Sequence, residues 1–294
     1  MSKQSLLLID GFNLLSRAHF ATSYNRNEEQ LKNKNGVYTN ALRVFFQKVF
    51  NLIRDHEITH LSILWDVKRE ETTRRQKYSF YKATRFEMPE PLLDQYFSCR
   101  EILDTIGVHQ LSQSPYEADD LMGAFSKKWP VDQCFIYSND RDLLQLLSPT
   151  TSQIIASKQG ELIYTINHFQ SDYGIIPEHW VDVKALLGDT SDNIPGCPGI
   201  GEKSAFPLIQ QYGTIERLYE CIDALEPHLT KHRKKLIKGQ ESTFISKELA
   251  SIICDIPELS ELTLDELQLN IQYDMLRTMI DQYELKINVN LVGA

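Results

Sequence analysis

The chain of 294 residues has little of what marks a secreted, membrane or cysteine-metal protein. Its five cysteines are scattered and form no CxxC pair, which argues against a disulfide framework and a cysteine zinc site and favours a reducing, cytoplasmic setting. No run approaches the ~20 apolar residues of a membrane span, and the apolar run near the start is interrupted at Asp10, too soon for a signal peptide. Tandem repeats and low-complexity tracts are also missing. We therefore expect one large domain or two closely coupled ones.

Positive charge is scarce overall but concentrated in two places. The formal net charge is −9, yet residues 68–85 hold seven Lys and Arg against two Glu, and residues 231–238 hold five with no acid. Tyr78, Phe80 and Tyr81 interleave with the first basic stretch, which is typical of surfaces that bind single-stranded nucleic acid by stacking and phosphate contacts. A solvated charged helix is the alternative. The acidic surplus must lie elsewhere in the chain.

Three short apolar runs share one design. They read "SLLLI", "LSILW" and "CFIYSN", and they end at Asp10, Asp66 and Asp140. Continuous apolarity predicts strands that are covered on both faces, as in a parallel sheet. Segments with helical spacing, such as residues 39–57 and 91–107, lie between them, so the sequence predicts an α/β fold. Ligands bind beyond the carboxyl ends of such strands, where these three acids would meet.

A third helix is expected at "SPYEADDLMG", with Ser114 as N-cap and Glu117 completing a capping box. Its acids join those at the strand ends and those in "GDTSDN". The candidate metal ligands are Asp10, Asp66, Glu117, Asp119, Asp120, Asp140, Asp142, Asp189 and Asp192. Singly, each is explained as well by a cap, a turn or a surface position. Jointly, they would repel one another without a hard cation, and oxygen-only ligands suit Mg²⁺ or Mn²⁺.

Two further motifs require interpretation. "GCPGIGEKSA" has glycines at 196, 199 and 201 ahead of a helical run, and its backbone could meet a phosphate. It is neither a P-loop nor a Rossmann fingerprint. "HEITH", from His56 to His60, matches a zinc-peptidase signature, but the helical pattern fades near Arg54 and "ITHLSILW" reads as a strand. The two histidines would not share a helix face, so we expect no zinc site there.

Together these segments resemble the 5′ nuclease family, which includes the N-terminal domain of bacterial DNA polymerase I, phage 5′ exonucleases and flap endonucleases. The resemblance covers roughly residues 5–255 and rests on "LLLIDG", "ILWD", "EADD", "SNDRDLLQL" and "LGDTSDNIPGCPGIGEK". It implies a PIN-like α/β core with a helical arch at about 68–90. It also implies that Asp10, Asp66, Glu117, Asp119 and Asp120 surround one Mg²⁺, while Asp140, Asp142, Asp189 and Asp192 serve a second.

The resemblance also implies roles for residues outside the acid set. Tyr81 would stack on the substrate, Lys82 and Arg85 would contact the scissile phosphate, and Arg74 would be a further arch arginine that binds DNA. The glycine loop would belong to a helix–two-turns–helix element at about 186–222 that grips duplex DNA, often with a bound K⁺. Its residues here would be Gly196, Gly199, Gly201 and Lys203. Pro207 departs from the pattern, because inside that element's second helix it would cost ~3 kcal/mol.

We expect an α/β nuclease core over residues 1–178 and a helical region over 179–294, free-standing and monomeric. The expected activity is Mg²⁺-dependent 5′→3′ exonuclease and flap endonuclease cleavage of DNA with a free 5′ end. Mn²⁺ would substitute for Mg²⁺, and RNA–DNA hybrids are plausible substrates. The alternatives are a non-catalytic binder of branched DNA and an RNA-directed nuclease of the PIN type.

Overall fold

The computed structural model describes residues 3–289. Its strands are β1 Ser5–Asp10, β2 His60–Leu64, β3 Gln110–Leu111, β4 Gln133–Tyr137, β5 Thr151–Ser157 and β6 Gly160–Tyr164. Its α-helices are α1 Gly11–Ser23, α2 Asn40–Asp55, α3 Thr73–Lys77, α4 Glu90–Thr105, α5 Ala118–Lys128, α6 Ile166–Tyr173, α7 Trp180–Leu187, α8 Glu202–Tyr212, α9 Ile215–Glu220, α10 Arg233–Ala250 and α11 Tyr273–Gln282. Short 3₁₀ turns lie between them.

The six strands form one sheet in the order β3-β2-β1-β4-β5-β6. The first five strands run parallel, and β6 pairs antiparallel with β5 at the edge. Every residue of β1 and β2 is buried, which explains the apolar run Leu6–Ile9 in β1, while His60 and Ser62 of β2 are buried polar residues. The predicted, mainly parallel sheet is confirmed, and β1 lies near its centre.

Helices cover both faces of the sheet. Leu7 and Ile9 of β1 point into a core shared with α1, α2 and α4, whereas Leu6 and Leu8 point to the opposite face, where α5 packs. A separate core lies beyond β6 and joins α6 to α10, with Phe169 fully buried in it. The α/β fold that the apolar runs predict is therefore confirmed, and a helical part follows it.

The loop between α7 and α8 is tightly wound. Gly188 and Gly196 both have positive φ, and a Cβ on either would lie under 3 Å from the backbone of the facing segment. Only glycine permits this approach, so the two positions fix the turns that join the helices. Pro207 lies inside α8, where its ring nitrogen cannot donate to the preceding turn, yet the helix continues to Tyr212.

The arch segment contains a 3₁₀ turn at Arg69–Glu71, the five-residue α3 and a series of turns that fold back on the core. One local expectation is wrong. Ser114 does not cap α5, since the helix begins at Ala118 with Glu117 as its N-cap. The Asp120 carboxylate accepts from the Glu117 backbone N–H at 3.0 Å, so the acids themselves form the cap.

The last described helix returns to the first core. Leu276 and Met279 of α11 pack with the helices that cover β1, and the Tyr283 hydroxyl donates to Glu101 at 2.9 Å. Backbone bonds from Leu269 to Thr59 and from Gln272 to Ile106 continue this contact. Within residues 3–289, no helix is both long and apolar enough to cross a membrane.

Candidate active site

Three strand ends and the start of α5 meet at one edge of the sheet. Asp10 is the last residue of β1, Asp66 lies two residues beyond β2, and Asp140 lies three beyond β4. The Ala118 backbone N–H donates to Asp66 at 2.8 Å, which fixes the start of α5 against the end of β2. The Ser138 hydroxyl donates to Asp10 at 3.1 Å and joins the ends of β1 and β4. The edge predicted from the sequence is therefore assembled.

Four of the nine acids have no basic partner. These are Asp10, Asp66, Asp119 and Asp140, and no Lys or Arg nitrogen in residues 3–289 lies within 4.0 Å of their carboxylates. Burial, together with the nearby charges of Asp66 and Asp140, raises the pKa of Asp10 to about 7. Burial and the charge of Asp140 likewise raise the pKa of Asp119 well above its usual range. The four carboxylates thus interact through repulsion that a bound cation would relieve.

The other five acids are paired with basic side chains. Lys184 lies 2.8 Å from Asp142 and 2.7 Å from Asp189, and Arg85 pairs with Asp192. Burial opposes the ionisation of Asp189, but the bonds from Lys184 and Ser191 hold its pKa at about 2. Burial and the charge of Asp140 raise the pKa of Asp142 to about 6 in spite of Lys184.

Glu117 is surrounded by donors from the arch segment. Lys82 Nζ lies 2.7 Å from one carboxylate oxygen, while the Tyr81 hydroxyl and Arg74 donate to the other at 3.1 and 3.2 Å. Burial alone would raise the pKa of Glu117, yet Lys82 and Arg74 more than offset that penalty and lower it. Glu117 is therefore a carboxylate held in its charged form by the protein.

Arg74 and Asp120 form a saturated buried pair. Arg74 donates twice to Asp120, at 2.7 Å each, and once each to Glu117 and the carbonyls of Leu249 and Ser251, so all five guanidinium N–H groups are used. Asp120 accepts those two bonds and two more from backbone N–H groups, and it is fully buried. In this arrangement every polar group of the pair is used, so the DNA contact by Arg74 and the metal contact by Asp120 stay predictions that would require the pair to open.

The arch segment covers the acid edge and presents its cations inward. Lys82, with φ of +52°, reaches Glu117 and lies 4.0 Å from Asp192. Arg85 pairs with Asp192 but keeps 47% of its side chain exposed. Tyr81 is only 3% exposed, so its ring is covered in this arrangement and its stacking on substrate stays a prediction. Lys82 and Arg85 both face the acid edge, and their contact with the scissile phosphate stays a prediction.

The donor chemistry of the edge fits a hard divalent ion. In the described part of the chain, no three His, Cys, Asp or Glu side chains stand close enough to chelate a metal as they are oriented. The four unpaired carboxylates are instead coupled through charge, and their oxygens are the ligands that Mg²⁺ and Mn²⁺ prefer. His56 follows the end of α2 and His60 begins β2, which confirms that the HEITH motif does not lie on one helix.

The glycine loop lies beside the second basic stretch. Lys235 of α10 donates to the Gly199 carbonyl at 3.0 Å, while Gly201, the N-cap of α8, and Lys203 are exposed. Gly196 is different, because it is buried and its backbone bonds to Ser246 and Ser242 of α10. In this arrangement the backbone of Gly196 holds the loop on α10, and a phosphate contact by Gly196 stays a prediction.

Sequence reasoning missed several residues that organise this site. Lys184 lies between Asp142 and Asp189, Ser138 joins Asp10 to the backbone of Asp140, and Arg69 donates to the carbonyls of Lys82 and Arg85. A lone lysine in an apolar helix and a serine at a strand end carry no motif. Only the three-dimensional arrangement reveals their contacts.

The mainly parallel sheet carries carboxylates at its carboxyl edge, and a segment with Lys82 and Arg85 covers that edge. This arrangement is typical of α/β nucleases with a carboxylate-lined active site. Two family models place the chain within that class. Residues 5–174 match the 5′-3′ exonuclease N-terminal resolvase-like domain, and residues 175–274 match the 5′-3′ exonuclease C-terminal SAM fold. The chain belongs to the 5′-3′ exonuclease family and is a catalytic nuclease.

The names of similar proteins support the same family. A 5′-3′ exonuclease of Halalkalibacterium halodurans is 59% identical over 94% of this chain and 92% of its own length. A 5′-3′ exonuclease of Bacillus subtilis is 33% identical over 97% of this chain and 95% of its own. DNA polymerase I of the same species is 36% identical over 87% of this chain, which corresponds to 28% of that polymerase.

Solved structures show the same fold. The T5 D15 protein, co-crystallised with metal ions, superposes with a TM-score of 0.67 at 20% identity, covering 95% of this chain and 99% of that one. The catalytic core of Rad2 in complex with DNA superposes with a TM-score of 0.57 at 16% identity, covering 96% and 88%. At these identities the comparison establishes the architecture alone.

Proposed function

We propose that this nuclease hydrolyses phosphodiester bonds near the free 5′ end of DNA and uses Mg²⁺ or Mn²⁺, with activity on flaps as well as on duplex ends and nicks. The observation that carries the proposal is the set of four unpaired carboxylates beside Lys82 and Arg85. Carboxylates that can hold divalent ions, beside cations that can hold a phosphate, are the groups that metal-assisted phosphodiester hydrolysis uses. The names of the relatives support the 5′→3′ direction.

Asp10, Asp66, Asp119 and Asp140 would hold the first ion, because they face one another without a basic partner. Asp142, Asp189 and Asp192 would face the second. Bound divalent ions would supply an activated water and charge stabilisation for the leaving oxygen. Glu117 and Asp120 act differently: Glu117 positions Lys82, and Asp120 positions Arg74.

Arg85 and Lys82 would hold the phosphate to be cut. Half of the Arg85 side chain is exposed, so it can bind a phosphate oxygen while the arch stays in place. Lys82 is almost buried and would exchange its bond to Glu117 for one to phosphate. Each contact neutralises charge on the phosphodiester as it is attacked.

The surface formed by the glycine loop and α10 would bind the duplex. Gly199, Gly201 and Lys203 are open to solvent, and Lys235 lies against the loop, so backbone and basic groups meet at the start of α8. These features support phosphate binding along one strand. A K⁺ ion at this loop and cleavage of RNA–DNA hybrids rest on the family resemblance alone. We further propose a monomer in the cytoplasm, where the five free cysteines stay reduced.

A panel of 5′-labelled substrates tests the proposal: a flap, a nicked duplex and a blunt duplex, with Mg²⁺ and separately with Zn²⁺. We expect 5′-end products with Mg²⁺, together with losses in Asp119→Asn and Asp140→Asn beyond the roughly 10–100-fold typical of second-shell changes. Asp132→Asn is the matched control, since Asp132 is exposed near the opposite end of β4 and bonds only to Gln4. Wild-type rates in Asp119→Asn and Asp140→Asn would contradict the assignment, as would cleavage with Zn²⁺ but not Mg²⁺.

A further inference from the structure

Lys184 lies inside the carboxylate set that was assigned to the second ion. It belongs to the last turn of α7, and only 14% of its side chain is exposed. Its ammonium lies 2.8 Å from Asp142 and 2.7 Å from Asp189, two acids from segments far apart in the chain. The lysine therefore occupies the position between two carboxylates that a bridging cation would take.

The distribution of partners separates the two halves of the site. Asp10, Asp66, Asp119 and Asp140 have no basic partner within 4.0 Å among residues 3–289, so their repulsion favours either a retained proton or a bound cation. Asp142 and Asp189 already share one positive charge supplied by the chain. A divalent ion placed between them would meet Lys184 at contact distance, which is strongly unfavourable for like charges.

We propose that Lys184 is a built-in cation of the second site, so that the free enzyme binds one divalent ion at the four unpaired acids and admits a second only by displacing this lysine. The inference rests on the proposed function, which assigns Asp142 and Asp189 to metal binding. Lys184 acts here as a positioning residue, because it keeps the two acids together before the second ion enters. The site would then bind its two ions in sequence rather than together.

A titration with Mn²⁺ in the absence of DNA tests this order of binding. Free Mn²⁺ is measured by electron paramagnetic resonance as ion is added to metal-free wild-type protein and to Lys184→Met. We expect wild type to bind one ion at least about tenfold more tightly than a second, and Lys184→Met to bind the second at least about tenfold more tightly than wild type does. The affinity for the first ion should not change.

Lys247→Met is the matched control. Lys247 also bridges two carboxylates, Asp182 and Glu216, at 2.6 Å each, and is 21% exposed, but neither acid belongs to the metal set. Its titration should follow wild type even if its thermal stability falls. Lys184→Gln, which removes the charge but keeps hydrogen-bonding groups, should tighten the second ion as Lys184→Met does, and it replaces that variant if the latter does not fold.

Two results would overturn the inference: two ions of equal affinity in wild type, or a Lys184→Gln titration that superposes on wild type. The nuclease assay is read separately. Sequential binding without any cleavage would disprove the proposed function and leave the role of Lys184 standing. If wild type cleaves DNA but binds two ions with equal affinity, the role of Lys184 is disproved and the proposed function stands.

Discussion

At the scale of single residues, the partners of each acid decide what it can do. Nine carboxylates that look alike in the sequence divide into those that face one another and those that face lysine or arginine. Asp10 and Asp120 are both buried, yet Asp10 faces other carboxylates, whereas Asp120 is bonded to Arg74. Identity and spacing locate such groups, but the neighbouring charge sets their protonation and their availability for metal.

Asp10 should make the metal-free protein less stable as pH rises. Its pKa is about 7 in the folded state against an ordinary 3.8, so between these values the folded state holds a proton that the unfolded chain releases. The free energy of unfolding therefore falls as pH increases across this window, by at most about 4 kcal/mol at ~1.4 kcal/mol per pKa unit. Asp142, with its pKa raised to about 6, acts in the same direction.

Urea unfolding in EDTA at pH 5.5 and 7.5 measures this dependence. Compared with wild type, Asp10→Asn should lose less stability, or gain more, between pH 5.5 and pH 7.5, because the group that releases a proton on unfolding is gone. The exposed Asp132→Asn should behave as wild type. An unchanged pH dependence in Asp10→Asn would show that the acids at this edge are not coupled as the structure indicates.

At the scale of elements, Arg74 joins three parts of the fold that are distant in sequence. It lies in α3 of the arch segment, binds Glu117 and Asp120 at the start of α5, and donates to carbonyls at the end of α10. The arch segment is thereby anchored at its base. Its helices are too short to hold their own position, so this pair and the contacts of Lys82 and Arg85 set where the basic residues lie.

Removing Arg74 should destabilise the protein rather than weaken DNA binding alone. Arg74→Met leaves the buried Asp120 carboxylate without its charge partner, and breaking such a pair costs roughly 3–5 kcal/mol. Lys77→Met is the control from the same helix, since its pair with Glu248 is exposed and worth about 0–1 kcal/mol. Thermal unfolding of both variants measures the difference. If Arg74→Met unfolds like Lys77→Met and loses only DNA affinity, Arg74 is the phosphate contact that the sequence suggested.

At the scale of the whole molecule, the sequence predicts those features of the fold that depend on local patterns of residues. The apolar runs before Asp10, Asp66 and Asp140 indicate the parallel sheet because continuous burial leaves a clear pattern, and the structure confirms it. The closed arch, the burial of Tyr81 and the partner of Lys184 depend on contacts between distant segments. The spacing of residues along the chain gives no information about these contacts. The return of α11 to the first core is of the same kind, since nothing in its sequence indicates where it packs.

The α11 contact makes the end of the described chain part of the nuclease core. Leu276 is 2% exposed and packs with the helices over β1, whereas the adjacent Met275 is 48% exposed. Leu276→Ala should lower the free energy of unfolding by about 2–5 kcal/mol through a cavity, while Met275→Ala should stay within about 0.5 kcal/mol of wild type. Urea unfolding compares the two, and cleavage per folded molecule should be the same in both because neither touches the acid edge. Equal stability of the variants would mean that α11 is merely appended to the core, and the helices over β1 would then have to be stable without it.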